Sequence, residues 1–298
     1  MFDNPVLLFI QLMNGLSLGM NLFIISSGLT LILGVLRVLN FAHGAFFMLG
    51  GYVCFTLVGA FDMSPMGFWL AVIGSALALG ALAWIIERLM LRHLYHRDHL
   101  YQLLFTYALV LLIGDLVKVG WGSSVLSVSF PPGLDGATNL GVAYYPSYRL
   151  LLCVIGVLVG LGLWYFVNRT RAGRLVRAAR QDREMLESLG INVGRIYLWV
   201  FVAGSAIAGM GGALAAPAIA LAPGMDAEIV VECFIIAIIG GLGSLGGAFL
   251  GSLILGLLNA FGVLLIPEFE IVLIYLMMVL VLLIRPWGLL GKPEAGYR

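Results

Sequence analysis

Charge is what this chain has least of. Only 10% of its 298 residues are Asp, Glu, Lys or Arg, where a soluble domain carries about a quarter. Hydrophobic residues make up 62%, and they fall in repeated runs of the length that crosses a bilayer as a helix. This excludes a soluble domain. A large barrel is not expected, because its spans would alternate apolar and polar residues. Cysteine is scarce: Cys54, Cys153 and Cys233 all sit in apolar stretches with no C-x-x-C spacing. They read as small buried hydrophobes, with no metal site and no disulfide framework. No G-x-x-x-x-G-K-[ST] occurs, so the chain has no P-loop for ATP. Neither H-E-x-x-H nor G-x-S-x-G occurs, and Ser26 and Ser27 have no evident base. The sequence therefore predicts no enzyme, no metal, no cofactor in this chain and no nucleic-acid partner. The N-terminal M-F-D-N-P lacks the basic stretch of a cleaved signal, so the first span is expected to stay.

The expected fold is all-α: a polytopic transmembrane bundle of about 8–10 membrane segments, with broken helices in two repeat-like halves. Residues 1–298 read as one integral membrane unit. The basic residues orient it. Seven of the 16 Lys and Arg lie in residues 168–195, three in 87–99 and three after residue 284. Short basic loops stay on the cytoplasmic side, which places these three segments together. His93, His96 and His99 recur every three residues, but no ligand set completes them. They read as interfacial histidines beside arginine.

Within 168–195, residues 174–189 read as one short amphipathic helix. Arg177, Arg180 and Glu184 share a face, and Leu175, Ala178, Ala179, Met185, Leu186 and Leu189 fall mostly on others. Arg183 and Glu187 make an i,i+4 pair, and Gly190 suits a C-cap. Two roles fit. The apolar tips Met185, Leu186 and Leu189 could enter a partner's groove, or the helix could rest on membrane lipid with its arginines on anionic headgroups.

Residues 6–34 are apolar but too long for one straight crossing. They read as one tilted span after an interfacial turn, or as two short spans, with Gln11, Asn14 and Gly15 as interruptions. Gly15 and Gly19 form a G-x-x-x-G, and the span after residue 196 is rich in Gly, Ala and Ser; both permit close helix packing. Two breaks stand out. R-V-L-N-F-A-H-G at 37–44 places Asn40 and His43 against an apolar span, as a broken helix at membrane depth or as a plain turn. G-G-L-G-S-L-G-G at 240–247 matches G-x-G-x-x-G, but its flanks are membrane spans, so it reads as a helix break or a close-packing turn. Gly44-Ala45-Phe46 recurs as Gly247-Ala248-Phe249. Interrupted apolar segments in two halves point to a transport path. The candidate path residues are Asn40, Phe41, His43, Gly44, Gly241, Gly243, Ser244 and Gly246.

The stretches R-V-L-N-F-A-H-G-A-F-F-M-L-G-G-Y, R-A-A-R-Q-D-R-E-M-L-E-S-L-G-I-N-V, G-G-L-G-S-L-G-G-A-F-L-G and R-P-W-G-L-L-G-K-P-E occur in this order across nearly the whole chain. In this the chain resembles the LivH-type permeases of branched-chain amino acid ABC transporters. The resemblance implies a multi-pass subunit of the bacterial inner membrane, paired with a LivM-like permease. It implies two cytoplasmic ATPase subunits that use the ATP, and a solute-binding protein outside. It also makes 168–195 the coupling loop, with Arg177, Arg180, Asp182, Met185, Leu186, Leu189 and Gly190 as candidate coupling residues. Leu186 stands where the family usually has Ala. The family also contains permeases for urea and short amides. A stand-alone carrier would need an Asp or Glu relay within its spans, and the span cores lack one.

Overall fold

The computed structural model describes residues 5–61, 64–95 and 97–291. The described residues form eleven α-helices: α1 Pro5–Leu36, α2 Ala42–Ala60, α3 Pro65–Leu89, α4 His99–Trp121, α5 Ser147–Arg169, α6 Arg171–Gln181, α7 Arg183–Ser188, α8 Val193–Ala215, α9 Met225–Gly240, α10 Leu245–Leu265 and α11 Glu270–Ile284. Seven of them (α1–α5, α8 and α10) are long and apolar enough to cross a membrane. α9 and α11, at 16 and 15 residues, fall short of the roughly 20 that a straight crossing needs. A small hairpin, β1 Ala137–Asn139 with β2 Tyr144–Pro146, lies in the long connection between α4 and α5.

Residues 6–34 are neither two spans nor a span after a turn. α1 is one unbroken helix of 32 residues, about 48 Å long. Gln11 and Asn14 do not interrupt it, because amide side chains leave the backbone ladder intact and here bond to each other, Asn14 Nδ2 to Gln11 Oε1 at 3.1 Å. α1 is the centre of the bundle: 89% of its most apolar window is buried, against 11% for α5. Small residues seat it. A Cβ added at Gly256 of α10 would strike the Gly15 carbonyl and the Gly19 amide, so the G-x-x-x-G of α1 is a packing face for α10. Gly28 likewise meets Gly204 of α8 backbone to backbone, and Gly50 of α2 meets Gly209.

The ends of the helices follow side-chain chemistry. Ser64, Asp98, Thr170, Asp182, Asn192 and Ser244 each accept a first-turn amide as N-caps. Asp182 changes the expected architecture of 174–189. It is extended, at φ −149° and ψ 100°, and its Oδ1 accepts from Met185 N at 2.9 Å. The single amphipathic helix is therefore two, α6 and α7, with a break between them. Gly190, at φ 76°, ends α7 with its amide on the Glu187 carbonyl, and Ile191 N bonds the Leu186 carbonyl. These are the paired bonds of a glycine C-cap. Asp182→Ala removes the cap that separates α6 from α7. We expect about 1 kcal/mol less stability in α7, read as faster amide hydrogen exchange at residues 185–189; unchanged protection would show that packing alone holds α7.

Candidate functional site: two cavities on one seam

The break after α1 carries the chain back into the bundle. Arg37 turns it at φ 55°, a left-handed conformation uncommon outside Gly and Asn. Val38 and Asn40 are buried while Leu39 is exposed. His43, in the first turn of α2, donates from Nε2 to the Ile25 carbonyl at 2.9 Å. α2 thus starts beside Ile25, about 16 Å up α1 from Leu36. Asn40 and His43 are both fully buried, and Asn40 Nδ2 and Oδ1 and His43 Nδ1 have no hydrogen-bond partner among the described residues. Phe41 is half-buried, with its ring 5.1 Å from Phe234 of α9. A Cβ added at Gly44 would strike the Asp226 carbonyl at the start of α9.

The second break lies at a different depth. Gly243, at φ 76°, packs on Gly34, two residues from the end of α1. Gly241, at φ 97°, packs against Gly291 and the Trp287 carbonyl, so the tail after α11 closes under this turn. Ser244 caps α10 by accepting from Gly247 N at 3.1 Å. Gly246 is exposed, and Gly247 is pressed on the Gly240 carbonyl. The two Gly-Ala-Phe triplets therefore do the same work at opposite ends of one helix: Gly44 seats the first turn of α9 and Gly247 its last.

Two cavities lie along α1, and the same three helices, α1, α5 and α10, line both. One, of about 350 Å³, includes Gln11, Asn14, Asn21, Arg149 and Asn259 in its wall. There Asn14 Oδ1 accepts from Arg149 Nη1 at 3.0 Å and from the Tyr145 hydroxyl at 3.1 Å. The other, of about 240 Å³, is at the arginine-rich end and includes Thr30, Gly34, Arg177, Arg180, Gly243 and Gly246. Between them the seam is shut: Phe23 of α1 is buried, lies edge-on to Phe249 of α10 at 5.2 Å, and faces Gly160 of α5.

The second cavity joins residues that the sequence assigned to separate roles. Gly243 and Gly246 come from the candidate path, Arg177 and Arg180 from the candidate coupling segment. Asn40, Phe41, His43 and Gly44 are not in its wall. Arg177 and Arg180 do not face a partner or water alone, as the amphipathic pattern suggested. Arg177 donates to the Val167 carbonyl at the end of α5 and, at 3.3 Å, to Asn168 Oδ1. Arg180 donates to the carbonyls of Gly243, at 2.7 Å, and Leu242, at 2.9 Å. Burial, with Arg37 adding like charge, pushes the Arg180 guanidinium below its ordinary value.

Of the three expected apolar tips only two project. Met185 and Leu189 are 61% and 66% exposed, but Leu186 is 6% exposed and belongs to the main core. The break at Asp182 rotates α7 relative to α6 and turns Leu186 inward. Arg183 holds that orientation, pairing with Glu187 at 2.8 Å and lying over the Tyr197 ring of α8 at 5.6 Å. The bond to Glu187 raises the Arg183 pKa. Of the three spaced histidines, His96 lies outside the described residues.

Reasoning from sequence missed the polar face of α1. Gln11, Asn14, Ser17 and Asn21 recur every three or four residues and so share one side of a helix. That signal was present, and it marks the wall of the larger cavity.

The comparisons agree with this architecture. The family model described as branched-chain amino acid transport system / permease component matches residues 11–282. The chain is 32% identical to the high-affinity branched-chain amino acid transport system permease protein BraD of Pseudomonas aeruginosa, over 95% of this chain and 96% of that one. It is 33% identical to LivH of Escherichia coli K12, described in the same words, with the same coverage. It is 25% identical to the ribose import permease protein RbsC of Escherichia coli K12, over 82% of this chain and 72% of that one. No solved structure matches. With its seven membrane-length helices, the chain is a multi-pass membrane protein and belongs to the family of branched-chain amino acid transport system permease components.

Proposed function

We propose that this chain is the transmembrane permease subunit of an ABC importer that carries branched-chain amino acids across the bacterial inner membrane. The observation that carries this reading is the likeness to BraD and LivH along nearly the whole chain. The arginine-rich end is cytoplasmic, because 13 of the 16 basic residues fall in the sequence stretches 87–99, 168–195 and after 284. A LivM-like permease completes the pathway along the α1–α5–α10 seam, where α5 exposes most of its length. Two ATPase subunits bind and hydrolyse the ATP and dock on α6 and α7, and a solute-binding protein delivers the amino acid at the larger cavity. Residues 168–195 are the coupling loop. When the ATPases close, α6 moves, and Arg180 carries that motion to the Leu242–Gly243 turn and hence to the end of α1. The Phe23–Phe249 contact is the seal that parts.

The test is reconstitution of the chain with its permease, ATPase and binding-protein partners in liposomes. ATP-dependent uptake of labelled L-leucine is expected, and none by this chain alone. Uptake by the isolated chain without ATP would make it a carrier and overturn this reading.

A further inference from the structure

The cavity of about 240 Å³ at the arginine-rich end has a charge pattern that its role as a passage does not require. Arg177 and Arg180 line it, and Arg37 is close enough to act on Arg180. None of the three forms an ion pair with a carboxylate among the described residues, where the ion pairs are Asp115–Lys118 and Arg183–Glu187. Each bound guanidinium keeps donors beyond those spent on backbone carbonyls, since arginine has five. Leu245 and Gly246 bring the first-turn amides of α10, which have no carbonyl partner inside the helix, and the positive end of its dipole. Thr30, 1% exposed, is in the same wall, and its Oγ1 has no hydrogen-bond partner among the described residues. A buried hydroxyl without a partner costs free energy unless something bonds it. Among the described residues, no acidic side chain lines the cavity. The remaining wall is apolar, with Leu31, Val35, Val167 and Val176.

We propose that this cavity is a binding station for the carboxylate end of the permeant amino acid as it leaves the pathway. Arg177, Arg180, Thr30 and the start of α10 take the carboxylate, and the Leu31–Val35–Val167–Val176 wall takes the branched side chain. The ammonium group has no acidic partner in the wall and stays at the open mouth. The proposal rests on the importer reading above and adds to it a site and the group that the site recognises. Because Arg180 also holds Leu242 and Gly243, a carboxylate on the guanidinium competes with those carbonyls and reports occupancy to the coupling segment.

The test is equilibrium binding of labelled L-leucine to the full chain, co-purified with its partner subunits in phosphatidylcholine nanodiscs, with no binding protein present. 4-Methylpentanoate, which keeps the carboxylate, should displace leucine, and 3-methylbutylamine, which lacks it, should not. Thr30→Val, close in shape but without the hydroxyl, should weaken binding roughly tenfold, the loss of one hydrogen bond to a charged group. Thr30→Ser should restore most of it. Equal displacement by the amine and the acid, or unchanged affinity in Thr30→Val, overturns the site. So does retention of phosphatidylglycerol by the arginines with no leucine binding, which would make this a lipid-phosphate site. In each of those cases ATP-driven leucine uptake by the wild-type complex persists. If that uptake itself is absent, the importer reading is what fails.

Discussion

Replacing Met185 and Leu189 together by alanine is expected to release the ATPase subunits while leaving the permease itself folded. Both side chains project from α7, 61% and 66% exposed, and neither contributes to the core of this chain. Each side chain buried against an ATPase groove contributes about 1.5–3 kcal/mol, so the pair contributes roughly 3–6 kcal/mol. At about 1.4 kcal/mol per factor of ten, docking weakens by roughly a hundredfold to ten-thousandfold. Leu186→Ala should behave in the opposite way. Leu186 is 6% exposed and packed in the main core, so its truncation costs about 2–5 kcal/mol of the chain's own stability. The measurements are co-purification of ATPase subunits, ATPase stimulation by loaded binding protein, and the unfolding midpoint of the permease alone. If α7 instead rests on lipid, the double variant co-purifies in full and responds to anionic-lipid content; that result would remove the docking role.

The second large effect is expected at Gly44 and Gly247. Valine at either position places a Cβ against a backbone carbonyl, Asp226 for Gly44 and Gly240 for Gly247. A flexible side chain could step aside, but a carbonyl within a helix cannot do so without moving the helix. The cost should reach the upper end of the roughly 1–3 kcal/mol typical of overpacking, or exceed it. Gly114→Val in α4 is the control, because a Cβ there meets nothing within 4 Å, and its effect should stay within about 0.5 kcal/mol. Unfolding midpoints of the three purified variants check this. Gly44→Val with a wild-type midpoint would mean that α2 and α9 are not held in register by this contact.

The apolar segments, their approximate bounds and the packing role of small residues were legible because each depends on composition within one segment. Arg183–Glu187 and Gly190 were legible for the same reason: their partners lie within four residues. The split at Asp182 was not, since an aspartate on the polar face of a helical pattern looks the same whether it continues the helix or caps the next one. What decides it is the burial of Leu186 in a core assembled from distant segments. Arg180 presents the same difficulty at longer range. Its partners are 62 and 63 residues away, so no local pattern distinguishes it from Arg174 on the same helix. The candidate path was placed at the two breaks because breaks are visible in a sequence. The seam between the cavities runs along unbroken helices, where its trace is the polar spacing of Gln11, Asn14, Ser17 and Asn21, and one break, through Gly243 and Gly246, lines the second cavity.

α5 has a mechanical consequence. Its buried residues, Tyr148, Leu152 and Gly156, all fall in its first half. Tyr148 is pinned there by its hydroxyl on the Leu214 carbonyl at 2.7 Å, and Arg149 by Asn14. The second half has no buried residue, and at its end only Thr170 separates it from α6. α5 is thus a lever about 34 Å long, with its pivot at the end near Asn14 and, under the importer reading proposed above, its other arm joined to the segment that the ATPases push. Within this chain, the half of α5 that faces Phe23 is the less buried one. In that proposed mechanism, a small stroke at the Arg169 end is spent on lifting Gly160 away from Phe23, and very little of it on disturbing the polar cluster around Asn14.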